Sequence, residues 1–215
     1  MTAWRAATLG SGTALSLALC GCGAGRAPLE PPPASQQEDM WRHLATDADR
    51  TRLRGWRGAW VTAAAKARAA DPAAVAAAGA LFAPDIALDR PVPPAGRYRC
   101  RVFKLGARTP GMPDFLAYPW FECRIAASAQ GEAQLVKLTG SQRQVGTLYR
   151  HDDRRAVFLG TLMLADETRA LAYGRDPERD LAGWATRVGD GRWRIALPHP
   201  AFESLLTVIE LVPVG

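Results

Sequence analysis

The chain has 215 residues, 48% of them hydrophobic and 22% charged, with a formal net charge of +6. That length leaves room for one domain and a small appendage, and the apolar share excludes a chain too polar to bury a core. The positive surplus suits an anionic neighbour such as a membrane surface, glycolipid phosphates or an acidic partner, although solvated arginines are the simpler account of it.

Residues 1–21 contain a single charged side chain, Arg5, and residues 6–19 are uncharged and increasingly apolar. This matches the hydrophobic region of a signal peptide, and it falls short of the roughly 20 apolar residues that a spanning helix needs. Leu19-Cys20-Gly21-Cys22 follows. A lipoprotein peptidase requires an apolar residue three before the modified cysteine and a small one directly before it. Leu19 and Gly21 meet both demands for Cys22, whereas Cys20 is preceded by the large Leu19 and is expected to leave with the signal. The alternative is ordinary signal-peptidase cleavage within residues 24–27, with neither cysteine acylated. Gly23 stands where an Asp would favour inner-membrane retention, so the expectation is an outer-membrane lipoprotein facing the periplasm, held through Cys22. Residues 22–38 are rich in Gly, Ala and Pro, with Pro31-Pro32-Pro33 among them, and read as a tether. Export also removes nucleic acid from the candidate partners. What remains is the membrane through the lipid anchor, an anionic envelope component or a protein.

Residues 39–95 form an N-terminal helical segment. Leu53, Trp56, Trp60, Ala63, Ala64 and Ala67 recur at three- and four-residue steps, which predicts one helix from Asp39 to Ala70, capped by Asp47 or Asp49. Asp71-Pro72 starts a second, short helix that runs to about Gly79. From residue 96 to the end the texture is that of strands, expected at 97–105, 117–127, 133–139, 144–150, 155–164, 183–189, 192–197 and 206–212. Gly189-Asp190-Gly191 is a hairpin signal. The fold class is therefore mostly β (α+β): an antiparallel meander of about eight strands, either a lipocalin-like barrel or a strongly curved sheet, with the helical pair packed on it. Residues 155–164 are apolar on both sides, and the Trp56/Trp60 helix is the expected cover. Pro119 suggests that the second strand lies at an edge.

Cys100 and Cys123 are the two cysteines left in the strand region. Both fall on inward faces of neighbouring strands, so an oxidising compartment should join them, which is worth roughly 3 kcal/mol by restricting the unfolded chain. No nucleophile elbow, zinc-protease helix or phosphate-binding glycine loop is present, and His43, His151 and His199 lack ligand spacing. No catalytic residue, metal or cofactor is therefore assigned. Candidate ligand-binding residues are Gln142 and Arg143, in the polar tetrad Gly140-Ser141-Gln142-Arg143 that is either a plain turn or a loop at a barrel mouth. Arg175 and Asp176 join them from a dense charged loop that otherwise neutralises itself. Glu210 completes the set as a carboxylate flanked by Val208 and Val212, either the floor of a ligand cavity or half of a structural ion pair. Glu203 and His199 are acid–base types, but spacing alone gives them no mechanism.

The runs YRCRVFKLG, YPWFECRI, VKLTGSQR, VFLGTLML, YGRD and FESLL resemble, in this order, the bacterial family called domain of unknown function 4893, over roughly residues 47–213. The resemblance implies a single envelope domain and carries over no catalytic residue. It adds weight to residues 140–143 and 173–176 as functional or fold-defining loops. Three readings follow: a non-catalytic binding or assembly module, a carrier of an apolar ligand inside the barrel, and an envelope hydrolase. A filled interior with an exposed patch favours the first, a deep internal pocket the second, and a cleft gathering Ser, His and acidic groups the third.

Overall fold

The computed structural model describes residues 40–128 and 132–215; the expected signal segment, Cys22 and the tether lie outside them. Eight strands, β1 (Gly96–Ala107), β2 (Phe115–Ala127), β3 (Ala133–Lys137), β4 (Gln142–Arg150), β5 (Ala156–Leu164), β6 (Asp180–Gly189), β7 (Arg192–Pro198) and β8 (Ser204–Pro213), close into one barrel. Each strand runs antiparallel to its chain neighbours, and β8 returns to β1, with Val102 opposite Ile209. All eight expected strands are present, and closure decides between barrel and open sheet. Asp190-Gly191 is the tight turn between β6 and β7, with Gly191 at φ +56°.

Closure leaves no edge for Pro119 to mark. Arg101 pairs with Trp120 but Phe103 with Ala117, so β2 carries one extra residue there. Pro119 sits in this bulge, where a missing N–H breaks no ladder. A second local feature brings two backbones close together. Gly146 faces Gly160 across β4 and β5, and a Cβ on either would come within 2.4 Å of a carbonyl oxygen, with the Phe158 ring close by. Only glycine permits so tight an approach.

Alternation along each strand divides core from cover. Tyr98, Cys100, Val102, Ile125, Leu135, Phe158, Ile195, Ile209 and Leu211 point inward and pack into one continuous buried cluster. The barrel is filled rather than hollow. Cys100 and Cys123 lie in this cluster and form the expected disulfide, with Cα atoms 5.8 Å apart.

The helical segment departs from expectation in two ways. The expected long helix is three pieces: residues 40–44 form a helical turn of their own, followed by α1 (Asp47–Arg54) and α2 (Trp56–Ala70), before the short α3 (Pro72–Ala78). The cap of α1 is Thr46, whose hydroxyl accepts the Asp49 N–H at 3.2 Å, so neither Asp47 nor Asp49 caps it. Asp71 caps α3 as expected, accepting from Ala74 N at 2.9 Å. The second departure is in packing. Trp60, Ala63, Ala64 and Ala67 of α2 cover Phe103, Leu105, Ala196, Leu206 and Val208 of β1, β7 and β8. The outer face of β5, Val157 and Leu159, is covered instead by Trp41, Ala45 and Leu53.

The two ends of the barrel differ. Where β1 begins, the loop of residues 83–95 crosses the opening. Tyr98 donates to the Pro94 carbonyl at 2.7 Å and Trp193 to the Arg90 carbonyl at 3.1 Å. The two rings meet edge to face with centroids 6.2 Å apart. The opposite end, where β1 meets β2, β3 meets β4 and β7 meets β8, is open.

Candidate functional site

Strand alternation that places Val102 inside places Lys104 there too, and Lys137 follows Leu135 in the same way. Both lysines are buried, at 7% and 2% exposure. They stand in the open mouth with Gln142 and Gln144 from β4, Tyr118 and Phe121 from β2, and Glu203 from the β7–β8 loop, around a cleft of about 400 Å³. The bulge at Pro119 is what turns both Tyr118 and Phe121 toward it.

The polar atoms are ordered. Lys104 Nζ donates to Gln142 Oε1 at 3.0 Å and forms an ion pair with Glu203, while Gln142 Nε2 donates to Glu203 Oε1 at 3.3 Å. Glu203 adopts φ +70°, a conformation that non-glycine residues hold only where the surroundings enforce it. Arg108 does so, donating from its backbone to the Glu203 carbonyl and from its side chain to Pro200 O. Lys137 Nζ donates to the carbonyls of Thr139 and Gln142 at 2.7 and 2.8 Å and lies 3.6 Å from the centre of the Phe121 ring. Gly140, at φ +88°, makes room: a Cβ there would come within 2.8 Å of Lys137 Nζ and of the Phe121 ring. Burial lowers both ammoniums to about 8, and for Lys137 the charges of Arg143 and Lys104 add to the effect.

Of the candidate ligand-binding residues named from sequence, Gln142 is the one that lines this mouth, with Glu203 beside it; the polar tetrad is both the β3–β4 turn and part of its rim. Arg143 points to the outer side, where Nη2 donates to the Glu167 carbonyl at 2.6 Å. Arg175 and Asp176 sit in the β5–β6 loop, at the same end of the barrel but outside the lining of the cleft, with Asp176 3.3 Å from Arg179, which also reaches Glu167 at 2.6 Å. The neighbouring Tyr173 fastens the helices to the barrel: its hydroxyl donates to Asp49 Oδ2 at 2.6 Å and accepts Thr46 N–H at 3.1 Å. Glu210 is not a cavity floor. It is buried on the outer face, where it accepts from Arg101 at 3.2 Å and Arg192 at 2.6 Å. His199 is exposed, and Glu203 turns to Lys104 and Gln142. Among the described residues no group of three or more His, Cys, Asp or Glu side chains is arranged to hold a metal ion.

Sequence reasoning missed Lys104, Lys137 and Gln144. It also missed Arg194, which is 2% exposed and donates to the carbonyls of Ala80, Leu81, Ala83, Pro84 and Ile86 at 2.7–3.2 Å. Its guanidinium lies 4.7 Å from the Trp60 ring, and burial lowers it to about 10.

These features define a closed eight-stranded antiparallel barrel with a packed interior and a cationic cleft at one mouth. The chain matches the family model described as Domain of unknown function (DUF4893) over residues 41–211, and it belongs to that family. No curated protein and no solved structure matches it.

Proposed function

We propose that this chain is a non-catalytic binding module, tethered by acylation of Cys22 to the outer membrane and facing the periplasm, which takes its ligand at the barrel mouth. The observation that carries the reading is the contrast between a filled interior and a mouth where two buried ammoniums border an open cleft. A filled interior leaves little space for an apolar cargo, which weighs against the carrier. Ser141 and Glu203 border the mouth, but among the described residues no hydrogen bond joins Ser141 to a base: Glu203 is engaged by Lys104 and Gln142, and Lys137 by two carbonyls, which weighs against the hydrolase. An anionic envelope partner also has a surface to meet: Arg97, Arg99 and Arg124 are exposed on the outer face of β1 and β2, with Arg99 and Arg101 about 5 Å from the half-exposed Trp120 ring.

The tether is tested by labelling cells with radioactive palmitate and separating their membranes. Wild type and Cys20→Ser should carry label in the outer-membrane fraction, and Cys22→Ser should carry none. Equal incorporation into Cys22→Ser would overturn the anchor.

A further inference from the structure

We infer that the mouth takes a small organic monocarboxylate that also carries a hydroxyl or N–H donor and an apolar group. This rests on reading the chain as a binding module. The argument begins with a charge count. Lys104 is neutralised by Glu203. Lys137 has no such partner: two of its protons go to backbone carbonyls, its flank lies against Phe121, and among the described residues no carboxylate forms an ion pair with it. The nearby Arg143 has the same sign. One buried positive charge is therefore left over at the cleft, held by two carbonyls where the buried Arg194 has five, and a counter-charge entering the cleft would stabilise it. A single carboxylate balances it, whereas a phosphate dianion would bring one charge too many.

The second, independent observation is Gln144. It is 4% exposed and borders the cleft, and its Oε1 receives no hydrogen bond. A buried carbonyl oxygen without a donor is rare in a finished protein. A ligand hydroxyl or N–H entering beside the carboxylate would supply the donor. Tyr118 and Phe121, with ring centroids 6.4 Å apart, give the cleft an aromatic wall against which an apolar substituent packs. The volume of about 400 Å³ falls in the range of small-molecule sites.

Calorimetry on the full-length protein in detergent micelles tests this with matched probes. 3-Phenyllactate carries all three features, 3-phenylpropionate lacks the hydroxyl, 3-phenyllactamide lacks the charge, and phenyl phosphate offers the other anion. 3-Phenyllactate should bind about tenfold tighter than 3-phenylpropionate, the cost of leaving one buried acceptor unpaired, and at least tenfold tighter than the amide. Gln144→Leu should erase the first difference while retaining 3-phenylpropionate, and Lys137→Met should erase the second. If Lys137→Met does not fold, Lys137→Gln, which keeps donors for Thr139 O and Gln142 O, serves the same arm. Equal affinity for 3-phenyllactate and 3-phenylpropionate would overturn the donor requirement. It would mean that a water in the adjoining crevice of about 20 Å³ already satisfies Gln144. Tighter binding of phenyl phosphate would overturn the carboxylate class while leaving the mouth a ligand site, and no binding of any probe at millimolar concentration would overturn the inference whole. Chemical conversion of a bound probe would instead sink the non-catalytic reading and leave the ligand chemistry standing.

Discussion

At the end where β1 begins, two large aromatic side chains meet inside the barrel, and each gives its one polar hydrogen to a carbonyl of the loop that crosses above. At the other end two ammoniums and two carboxamides occupy the equivalent inward positions, and the described residues supply too few partners for them. Among those residues Gln144 Oε1 receives no hydrogen bond, and no carboxylate pairs with Lys137. The same strands and the same alternation build both ends, so geometry does not account for the contrast. Polar satisfaction does: one end is closed chemically as well as sterically, and the other is left incomplete. Unsatisfied groups at one end cost stability that the other end and the helical cover must supply.

The largest expected effect comes from attacking the closed end. Arg194 fixes the 80–86 segment that leads into the crossing loop. Arg194→Met strips five carbonyls of their donor and should cost about 3–5 kcal/mol in urea unfolding. The mouth should be untouched, so a changed affinity there in the still-folded variant would break the separation of the two ends. Opening the disulfide comes next. Cys100→Ala should lower stability by about 3 kcal/mol. Mass spectrometry of unreduced, alkylated wild type should find neither thiol modified, and two alkylated cysteines would refute the bridge. A smaller effect is expected where the helices join the barrel. Tyr173→Phe removes the hydroxyl that serves both buried Asp49 and the Thr46 N–H, and should cost about 2 kcal/mol. Hydrogen exchange should then quicken in residues 40–54 while the strands stay protected; an unchanged pattern would remove Tyr173 as the fastener.

Much of the barrel was legible because two-residue alternation writes strand and facing into the same letters. Tyr98, Cys100 and Val102 gave both the first strand and its inner side. The mouth was written in that same code and overlooked. Lys104 is in phase with Val102, and Lys137 with Leu135, but a lysine in a strand reads as outward until closure makes every in-phase position internal. Glu210 proved to be the structural ion pair and not the cavity floor, and the sequence left the two open for the opposite reason. β8 is apolar on both sides, Ile209 and Leu211 inward and Val208 outward, so periodicity names no inner face. The misassigned cover of β5 marks a further limit. An apolar outer face shows that something packs there, but whether Trp41 and Leu53 or Trp60 does so depends on the break at residues 45–46. Arg194 gave no usable local signal, because apart from Thr186 across the β6–β7 hairpin its partners are backbone carbonyls more than a hundred residues away in sequence.

The smallest expected effect separates the ends most directly, because they titrate in opposite directions. At the mouth, burial brings Lys137 from the ordinary 10.5 down to about 8. Between those values the unfolded chain holds a proton that the folded chain has released, so this group makes stability rise with pH across that window and adds a constant penalty below it. At the closed end, burial pushes Tyr98 from 10 up to about 12. There the folded chain keeps a proton that the unfolded chain has lost, and stability falls as pH rises from about 10 to 12. Water in the open cleft screens the lysine, so its share is about 1 kcal/mol rather than the full value of the shift. Urea midpoints of wild type and Lys137→Met at pH 7 and 10 isolate Lys137 together with its repulsion from Lys104, because Tyr98 and Tyr173 contribute equally to both proteins and cancel. The stability difference should move about 1 kcal/mol in favour of wild type at the higher pH, and Tyr98→Phe measured against wild type above pH 10 should move the other way. A flat difference for Lys137→Met would mean that its ammonium is solvated or paired, and the mouth would then be as complete as the end opposite.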